Sequence, residues 1–530
     1  MTDDGRRTAP GRAPEPGSGP GPAPGAASVP ALGSGATPAP APPDADGRPA
    51  GEPAPEVADV GRRRFFRLLA ADAIQTAAQV VGVAAALQRT SAEAAAALLE
   101  DGSTSAPAPG SASLPPAAHR SPFRMEASAL YVLDQARFPF ESVEIECQSG
   151  AEASRAIREM NVRGAPAIAQ VAAYALALTA ERARDAKPYV RLATVRGTAN
   201  SLAGARTAPA ALRAAVDRML DRMSAVGELI EDGGPIADAL RAEADAIAME
   251  ATLDHARLVE AGRAELVALV ERAERAIAEE PLAGEPATPA ERPLGVLTLG
   301  STGALSGGQI GTALGVAVAY HATGRPIHVT VLESRPGLDG ARLAAWELAQ
   351  AGVPHTVMAD AAAGWLLSRG GIDAILLGAD RIALDGSVLG PLGTLPVALA
   401  GASAHVPVLV CAPGTTIDPA AEDLSDLPDE TRPPIELMRV RGVDIAAPGT
   451  PWLDPLVDVT PAEVVDGFVT EAGVLRKPFA PALAGLAAAV AARRPEPGPA
   501  GRDALAGPTG RAAERPGPGG EPGWSDGAPT

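Results

Sequence analysis

The most informative part of this chain for its fold is Val296-Leu-Thr-Leu-Gly-Ser-Thr-Gly-Ala-Leu-Ser-Gly-Gly308. An apolar, β-prone run enters it, Gly, Ser and Thr follow, and a small-residue helix pattern begins near Gly308. The order strand, glycine loop, helix is typical of loops that aim backbone N–H groups and the positive end of a helix at an anion. We therefore predict an anion-binding loop, although no strong nucleophile or acid lies between Thr298 and Gly308.

The chain after this loop continues to alternate between apolar runs and helical patterns. Its strand candidates between residues 293 and 415 are LGVLTL, IHVTVLES, PHTVMAD, IDAILLGAD and VPVLVCAP. Helical patterns such as GARLAAWELAQAG and LGTLPVALAGASA separate them. Buried runs that alternate with helices predict an α/β fold, a Rossmann-like parallel sheet with helices on both faces. Ligands of such folds bind outside the carboxyl ends of the strands.

Composition divides the rest of the chain. Residues 119–290 are predicted to form a mainly helical N-terminal domain, with β-like segments at ALYVLDQ and VEIECQ, and residues 291–477 the Rossmann-like domain. Pro, Gly and Ala dominate residues 1–59 and 478–530, which favours disorder apart from one short helix in the second of these tails. Residues 102–118 are predicted to be a linker.

Residues 60–101 are predicted to be helical, with a basic start and a capping box, TSAE at residues 90–93, that opens a second helix. We interpret them as amphipathic helices that dock on a protein partner or on the core. The alternative is a twin-arginine export signal, which RRRFF from Arg62 to Phe66 resembles, although this motif begins far into the chain. No run reaches the roughly 18–20 uninterrupted apolar residues of a membrane span.

Charge and cysteine usage exclude several classes of function. The 530-residue chain has a net charge of −19, which argues against nucleic acid or an anionic membrane surface as a partner. Cys147 and Cys411 lie far apart and make neither a disulfide framework nor a metal-ligand spacing. The histidines are scattered, and His328 is predicted to be a core residue of a strand. We therefore expect no metal, no cofactor and a cytoplasmic location, with export as the alternative.

Four features fall at predicted strand ends or helix starts. The glycine loop at Gly300 either binds an anion or only makes a turn. Arg335, after the second strand, either holds a carboxylate or phosphate or forms a surface salt bridge. Asp380, which ends IDAILLGAD, is either an acid or base, or else a helix N-cap or a loop carboxylate. Arg163, before a helix start at Pro166, is either a phosphate clamp or part of a cap.

Seven segments, in this order, resemble the methylthioribose-1-phosphate isomerase family: YVLDQ, NVRGAPAIAQVAAYALAL, ARTAPAALRAAVDRM, GSTGALSGGQIGTALGV, ESRPGLDGARLAAWEL, GADRIALDGSV and VTPAEVVDGFVTEAGV. The resemblance extends from near Pro122 to near Val474. The superfamily also contains ribose-1,5-bisphosphate isomerase and the regulatory subunits of the guanine-nucleotide exchange factor for eukaryotic initiation factor 2. The resemblance implies a helical domain, a Rossmann-like domain and a homodimer. It also implies conversion of an aldose 1-phosphate into a ketose 1-phosphate in methionine salvage.

The resemblance assigns roles to individual residues. Arg163, Gly164 and Ala165 match the family's phosphate-contacting RGA, Arg206 matches a substrate-binding arginine, and Asp380 matches the catalytic aspartate. The arginines and the helix start would hold the substrate, and Asp380 would handle a proton during the shift of hydrogen between C1 and C2.

Three places depart from the family pattern. Gly300 stands where the family has its catalytic cysteine, Asp339 where it has a glutamine, and Gly390-Pro391 where it has Asn-Lys. Losing a general acid or base costs about 10²–10⁴-fold in rate. The loss of a lysine and the gain of an aspartate make the site more negative, and each missing charge-assisted bond to phosphate costs about 1–3 kcal/mol.

We therefore predict a divergent member of the family with impaired or lost isomerase chemistry, which binds a sugar phosphate or nucleotide or has a regulatory role. The alternative is an active aldose–ketose isomerase for methylthioribose 1-phosphate or a related sugar 1-phosphate. In that case Ser301 or Thr302 would offer a hydroxyl in place of the missing thiol, and Asp380 would remain the acid or base.

Overall fold

A computed structural model describes residues 121–126, 128–279, 292–425, 430–432, 435–440 and 442–495. The predictions of disorder, helices, linker and export motif before residue 119 lie outside these described residues, as does the tail after residue 495. In the described part, no helix is both long enough and apolar enough to cross a membrane.

The N-terminal part begins with a small antiparallel sheet and continues with helices. Its strands are β1 (Phe123–Met125), β2 (Leu130–Leu133) and β3 (Glu144–Cys147), which pair in this order. Its helices are α1 (Gly150–Arg158), α2 (Ala165–Arg182), α3 (Pro188–Ala203), α4 (Ala210–Val226) and α5 (Gly234–Glu279). β2 and β3 confirm the strands predicted at ALYVLDQ and VEIECQ.

Helix α2 lies at the centre of this part because its sequence, APAIAQVAAYALALTAER, is apolar on nearly every face. Such a helix is stable only when other elements surround it. It packs against α1, α4 and α5, and most of its side chains are buried. This packing fixes the position of its first turn, where Gly164 is the N-cap.

The long helix α5 joins the helical part to the sheet. Ile236 and Leu240 in its first half belong to the core of the helical part, whereas Leu258 and Leu266 in its second half pack on the sheet. At Gly262 the helix packs so closely that an added Cβ would overlap Val316 in the helix Ala313–Ala322 and would lie 3.1 Å from Val469 in a strand of the sheet. The two parts therefore pack directly on each other.

The second part is built on strands of two to six residues. They are β4 (Leu294–Thr298), β5 (Ile327–Leu332), β6 (His355–Met358), β7 (Ala374–Leu377), β8 (Arg381–Ile382), β9 (Val388–Pro391), β10 (Val408–Cys411), β11 (Arg439–Val440), β12 (Val443–Asp444), β13 (Val457–Thr460), β14 (Gly467–Thr470) and β15 (Gly473–Leu475). All the strands predicted from the sequence are present among them.

Seven of these strands form one sheet, in the order β15-β14-β10-β7-β4-β5-β6. Neighbours pair in parallel except β15, which is antiparallel to β14. The chain moves from β4 to β5 and β6 on one side and then returns to β7 and β10 on the other. Ligands of open α/β sheets bind at such a switch point. Gly300 follows β4 and Asp380 follows β7, so the topology brings both residues to this point.

Helices cover both faces of the sheet. The helices of the second part are α6 (Ala304–Gly307), α7 (Ala313–Ala322), α8 (Ala345–Gln350, after a π-helical turn at Gly340–Ala344), α9 (Ala363–Ser368), α10 (Thr394–Ser403), α11 (Ile435–Met438) and α12 (Ala480–Ala491). α5, α7 and α8 pack on one face, and α9, α10 and α12 on the other. The predicted α/β class is confirmed, and the tail predicted from residue 478 begins with the folded helix α12.

Outside the main sheet, the remaining strands form two smaller sheets. β13, β9 and β8 pair antiparallel in this order, and β11 and β12 make a separate antiparallel pair. β9 ends with Gly390 and Pro391 beside the glycine loop, which gives these two residues their place near the site.

Two local expectations from the sequence are wrong. The helix after the glycine loop begins at Ala313, not near Gly308, because Gly308 has a φ of +110° and ends the short helix α6. His328 is half-buried in β5 and contacts the Thr356 hydroxyl at 3.0 Å, so it is not a core residue.

Candidate active site

A pocket lies at the carboxyl ends of β4 and β7, between the first turn of α2 and the loops that follow β5, β7, β9 and β10. Residues singled out from the sequence that line it are Arg163, Gly164, Ala165, Arg206, Gly300, Ser301, Thr302, Arg335, Asp339, Asp380 and Pro391. Gly390 is buried just behind the lining, against Thr394. The fold thus brings residues from distant parts of the sequence to one place.

The first turn of α2 reaches the pocket through a glycine that no other residue can replace without strain. Gly164 has a φ of +89°, and a Cβ there would lie 2.3–2.5 Å from atoms of Ser306. Pro166 stands at the start of the helix, as predicted. The glycine therefore lets the helix start and the glycine loop touch, and Arg163, Gly164 and Ser306 all line the pocket there.

Arg163 is buried and already has an anionic partner. Its Nε donates to the Met160 carbonyl at 3.1 Å, and its Nη1 forms an ion pair with Asp339. Asp339 also accepts from Arg342 at 3.2 Å. The residue expected to grip phosphate is thus paired with a carboxylate of the chain itself.

Arg206 is in the same situation. It is buried and forms an ion pair with Glu430, and its Nη2 donates to the second carboxylate oxygen at 3.2 Å. Burial acts to lower the pKa of Arg206, but the hydrogen bond to Glu430 and the charge of Asp380 raise it overall. Arg206 therefore stays charged beside Asp380.

Asp380 is a half-buried carboxylate held by its backbone. Its N–H donates to the Leu389 carbonyl at 2.8 Å, and its carbonyl accepts from Ala210 at 3.0 Å. Its carboxylate makes no hydrogen bond to any described residue, so the N-cap alternative is wrong. Desolvation raises the pKa of Asp380, Arg206 lowers it and Glu430 raises it, with a net rise. A carboxyl group with a raised pKa is better suited to exchange protons near neutral pH.

Gly300 faces Pro391 at the base of the glycine loop. Its φ is +79°, and its N–H donates to the Ser334 hydroxyl at 2.8 Å. A Cβ built at Gly300 would lie 3.5 Å from the Pro391 ring. Two of the departures from the family pattern are therefore neighbours in space, and neither residue offers a polar side chain.

The glycine loop presents fewer amides to the pocket than predicted. Buried Glu347 accepts from the N–H groups of Ala304 at 2.6 Å and Leu305 at 3.4 Å. The Thr312 N–H is bound to the Thr302 carbonyl. The prediction of a helix start aimed at an anion is therefore wrong for α6. The amides of Ser301 and Thr302 make no hydrogen bond to the described residues, and both residues line the pocket.

Four residues that support this loop were missed by the sequence analysis. Gln135 donates to the Leu305 carbonyl at 2.8 Å, Gln170 to the Gly307 carbonyl at 2.9 Å, and His255 contacts the Ile310 carbonyl at 2.9 Å. The fourth is Glu347, whose pKa burial raises to about 8. Burial likewise lowers the pKa of His255 to about 4. Their only signal in the sequence was a polar residue within an apolar helix or strand.

Arg335 and Ser301 are the polar groups that stay available. The guanidinium of Arg335 forms no ion pair within the described residues, so the surface salt bridge considered from the sequence is not formed. Ser301 Oγ lies 2.6 Å from Ser306 Oγ, in a pair of hydroxyls beside Gly300. These groups can bind an anion or donate to a sugar oxygen.

Metal chemistry has no candidate ligand set in the described part of the chain, where no group of three His, Cys, Asp or Glu residues could hold an ion. Cys411 lies under the pocket at the end of β10, fully buried, and desolvation raises the pKa of its thiol far above the usual range. A thiol in that state is a poor proton carrier.

Comparison with known proteins places the chain among related sequences. A family model described as the initiation factor 2 subunit family matches residues 161–477. A methylthioribose-1-phosphate isomerase from Chloroflexus aurantiacus is 38% identical over 360 residues, which are 68% of this chain and 96% of that one. One from Anaeromyxobacter sp. is 40% identical over 357 residues, 67% of this chain and 94% of that one.

Solved structures show the same arrangement of helical part and sheet. The 5-methylthioribose 1-phosphate isomerase from Pyrococcus horikoshii has a TM-score of 0.58 at 27% identity, covering 71% of this chain and 98% of that one. The delta subunit of translation initiation factor eIF-2B from A. fulgidus has a TM-score of 0.55 at 28% identity, covering 69% and 99%. The fold described above is thus shared by proteins with these two names.

Proposed function

The chain belongs to the initiation factor 2 subunit family, as the resemblance in its sequence predicted, and on this premise we propose that it is an aldose–ketose isomerase acting on a sugar 1-phosphate. Methylthioribose 1-phosphate is the first candidate substrate, because relatives named for that reaction are 38% and 40% identical over nearly their whole length. The observation that carries the proposal is Asp380, a carboxylate free of hydrogen bonds to described residues, beside Arg206 at the switch point of the sheet.

This proposal ranks the active enzyme above the impaired homologue that the sequence alone favoured. What supports the change is that identity extends over both structural parts, and that the pocket keeps Asp380, Arg163 and Arg206 together. The Asp380 carboxylate is desolvated and makes no hydrogen bond to the described residues, and such a group costs stability that a chain without the reaction would have no reason to keep.

The chemistry assigns a task to each group. Isomerisation removes hydrogen from one of the carbons C1 and C2 and delivers it to the other, so a proton carrier has to lie beside both. Asp380 fills this role, with its raised pKa. The Ser301 hydroxyl and the amides of Ser301 and Thr302 can donate to the sugar oxygen on which charge develops. Arg335 and Arg163 then attract the phosphate.

A second candidate function is ligand binding without turnover. The specific observation in its favour is Gly300 facing Pro391: at the place where the family carries a cysteine and a lysine, this chain offers neither a thiol nor an ammonium group. In this reading the pocket binds a sugar phosphate or nucleotide, and the site has a regulatory role.

One experiment separates the two candidates. The full-length chain is incubated with methylthioribose 1-phosphate, and the ketose product is followed by NMR, alongside Asp380→Asn. Turnover that Asp380→Asn abolishes supports the isomerase. Calorimetric binding of the sugar phosphate without turnover supports the second candidate and overturns the first. If the chain shows no turnover and no binding, both candidates are contradicted for this substrate.

We also propose that the chain is a homodimer located in the cytoplasm, as the family resemblance and the sparse cysteines suggest, and that residues 62–100 contact a protein partner. Light scattering of the purified chain tests the dimer, and a monomer at micromolar concentration would contradict it. Full-length protein in the periplasmic fraction would favour the export motif instead.

A further inference from the structure

Asp339 and Glu430 each pair with a buried arginine of the pocket, but of these two carboxylates Asp339 alone lines the pocket. It lies directly before the π-helical turn Gly340–Ala344 and lines the pocket. It forms an ion pair with Arg163, whose side chain is 5% exposed, while its own side chain is 21% exposed. In this ion pair the carboxylate of Asp339 is therefore accessible from the pocket, whereas the Arg163 side chain is almost fully buried.

Arg342 is the second partner of Asp339, but its other contacts prevent it from replacing Arg163 in the ion pair. Arg342 donates to the carbonyls of Gln135 at 2.7 Å and Phe138 at 2.8 Å, and to that of Gly337 at 2.9 Å. Its guanidinium is thus used to join the two structural parts. Arg342 therefore holds Asp339 in place, and the Asp339 carboxylate also forms the ion pair with Arg163.

The other arginines of the pocket show how much positive charge is left. Arg206 is paired with Glu430, and Arg432 with Asp454 at 3.0 Å and Glu436 at 3.0 Å. The backbone N–H of Arg335 donates to the Asp360 carboxylate at 2.6 Å, but its guanidinium has no carboxylate partner within the described residues. A phosphate in this pocket can therefore bind the Arg335 guanidinium directly but gains Arg163 only if it competes with Asp339.

We propose that Asp339 is a specificity-determining residue: it competes with the ligand's phosphate for Arg163 and so holds the affinity for phosphate dianions low. The inference rests on the proposed function only in that both need a phosphorylated ligand in this pocket. The proposal gives a physical effect to the presence of Asp339 where the family has a glutamine. A neutral amide at position 339 would leave Arg163 free to pair with the ligand's phosphate.

The test is the affinity of the full-length chain for inorganic phosphate, measured by calorimetry at a pH where the dianion dominates. Asp339→Asn removes the charge and nearly keeps the shape, and Asp339→Glu keeps the charge. Asp221→Asn is the matched control, because Asp221 also forms a half-buried pair with an arginine, Arg494, but away from the pocket. Circular dichroism checks that each variant is folded, and Asp339→Ser replaces Asp339→Asn if the latter is not.

We expect Asp339→Asn to bind phosphate about tenfold or more tightly than the unmodified chain, which corresponds to one charge-assisted hydrogen bond. Asp339→Glu and Asp221→Asn should stay close to the unmodified chain. Equal or weaker binding by Asp339→Asn would overturn the proposal, as would an equal gain in Asp221→Asn or the absence of phosphate binding in all variants. Because no turnover is measured, a chain without isomerase activity can still show the effect, and an active isomerase can fail to show it.

Discussion

Gly300 and Pro391 lie opposite each other at the base of the pocket, where a Cβ added to the glycine would touch the proline ring at 3.5 Å. That distance is ordinary van der Waals contact, so the space accepts a small side chain. The backbone is less permissive, because the φ of Gly300 is +79°. A small side chain at position 300 is therefore opposed by the backbone conformation and not by lack of space.

Gly300→Ala should lower the free energy of unfolding by about 1–2 kcal/mol, because a Cβ at positive φ meets the following carbonyl. Urea unfolding measures this. The control is Gly364→Ala in α9, where the glycine is exposed, helical and has no atom within 4 Å of the added Cβ. That change should stabilise by about 0.5–1 kcal/mol. If both variants shift equally, the conformational argument is wrong.

Glu347 should make the chain less stable as the pH rises. Its pKa is raised from 4.5 to about 8 by burial, so between these values the native state holds a proton that the unfolded state has lost. The free energy of unfolding should therefore fall through this window, by about 1.4 kcal/mol per pH unit at most. In Glu347→Gln this fall should be smaller, as seen in urea titrations at several pH values.

The control for Glu347 is Glu141→Gln, which removes an exposed partner of Arg137. It should leave the pH dependence of unfolding as it is. An unchanged slope in Glu347→Gln would show that Glu347 is charged in the native state and that its hydrogen bonds to the loop amides outweigh burial.

These residues show where sequence reasoning succeeds. The sheet was predictable because its buried runs are continuous and separated by helical patterns, and Asp380 because it ends such a run. Glu347, Gln135 and Gln170 were not, since each acts on the glycine loop from 43 to 170 positions away. Local patterns carry no information on which polar residue will meet which loop. The ion pair between Arg163 and Asp339 is hidden for the same reason.

His255 should act in the opposite direction to Glu347. Burial lowers its pKa from 6.5 to about 4. Between these two pH values the imidazole is therefore protonated in the unfolded state and neutral in the native state. Stability should therefore be present above pH 6.5 and be lost as the pH falls towards 4. His255→Asn should weaken this acid sensitivity, measured by thermal unfolding at acidic and neutral pH.

The control for His255 is His405→Asn. His405 is exposed and has a φ of +55°, a conformation that asparagine tolerates. It should leave the acid sensitivity intact. Equal acid sensitivity in His255→Asn and in the unmodified chain would show that other groups cause the loss of stability.

Asp380→Asn should separate activity from stability. If the chain turns over a sugar 1-phosphate, kcat should fall by about 10²–10⁴-fold, because the amide cannot exchange the proton. The free energy of unfolding at neutral pH should stay or rise. The pKa of Asp380 is raised by burial, so the native state binds a proton more readily than the unfolded state, and stability falls as pH rises above the usual range of an aspartate. Asparagine removes that loss.

Asp221→Asn serves as the control for both measurements. A variant that keeps its kcat would exclude Asp380 as the proton carrier. One that loses activity together with stability would show that Asp380 holds the fold of the pocket, and the proton would then have to pass through the Ser301 hydroxyl or water.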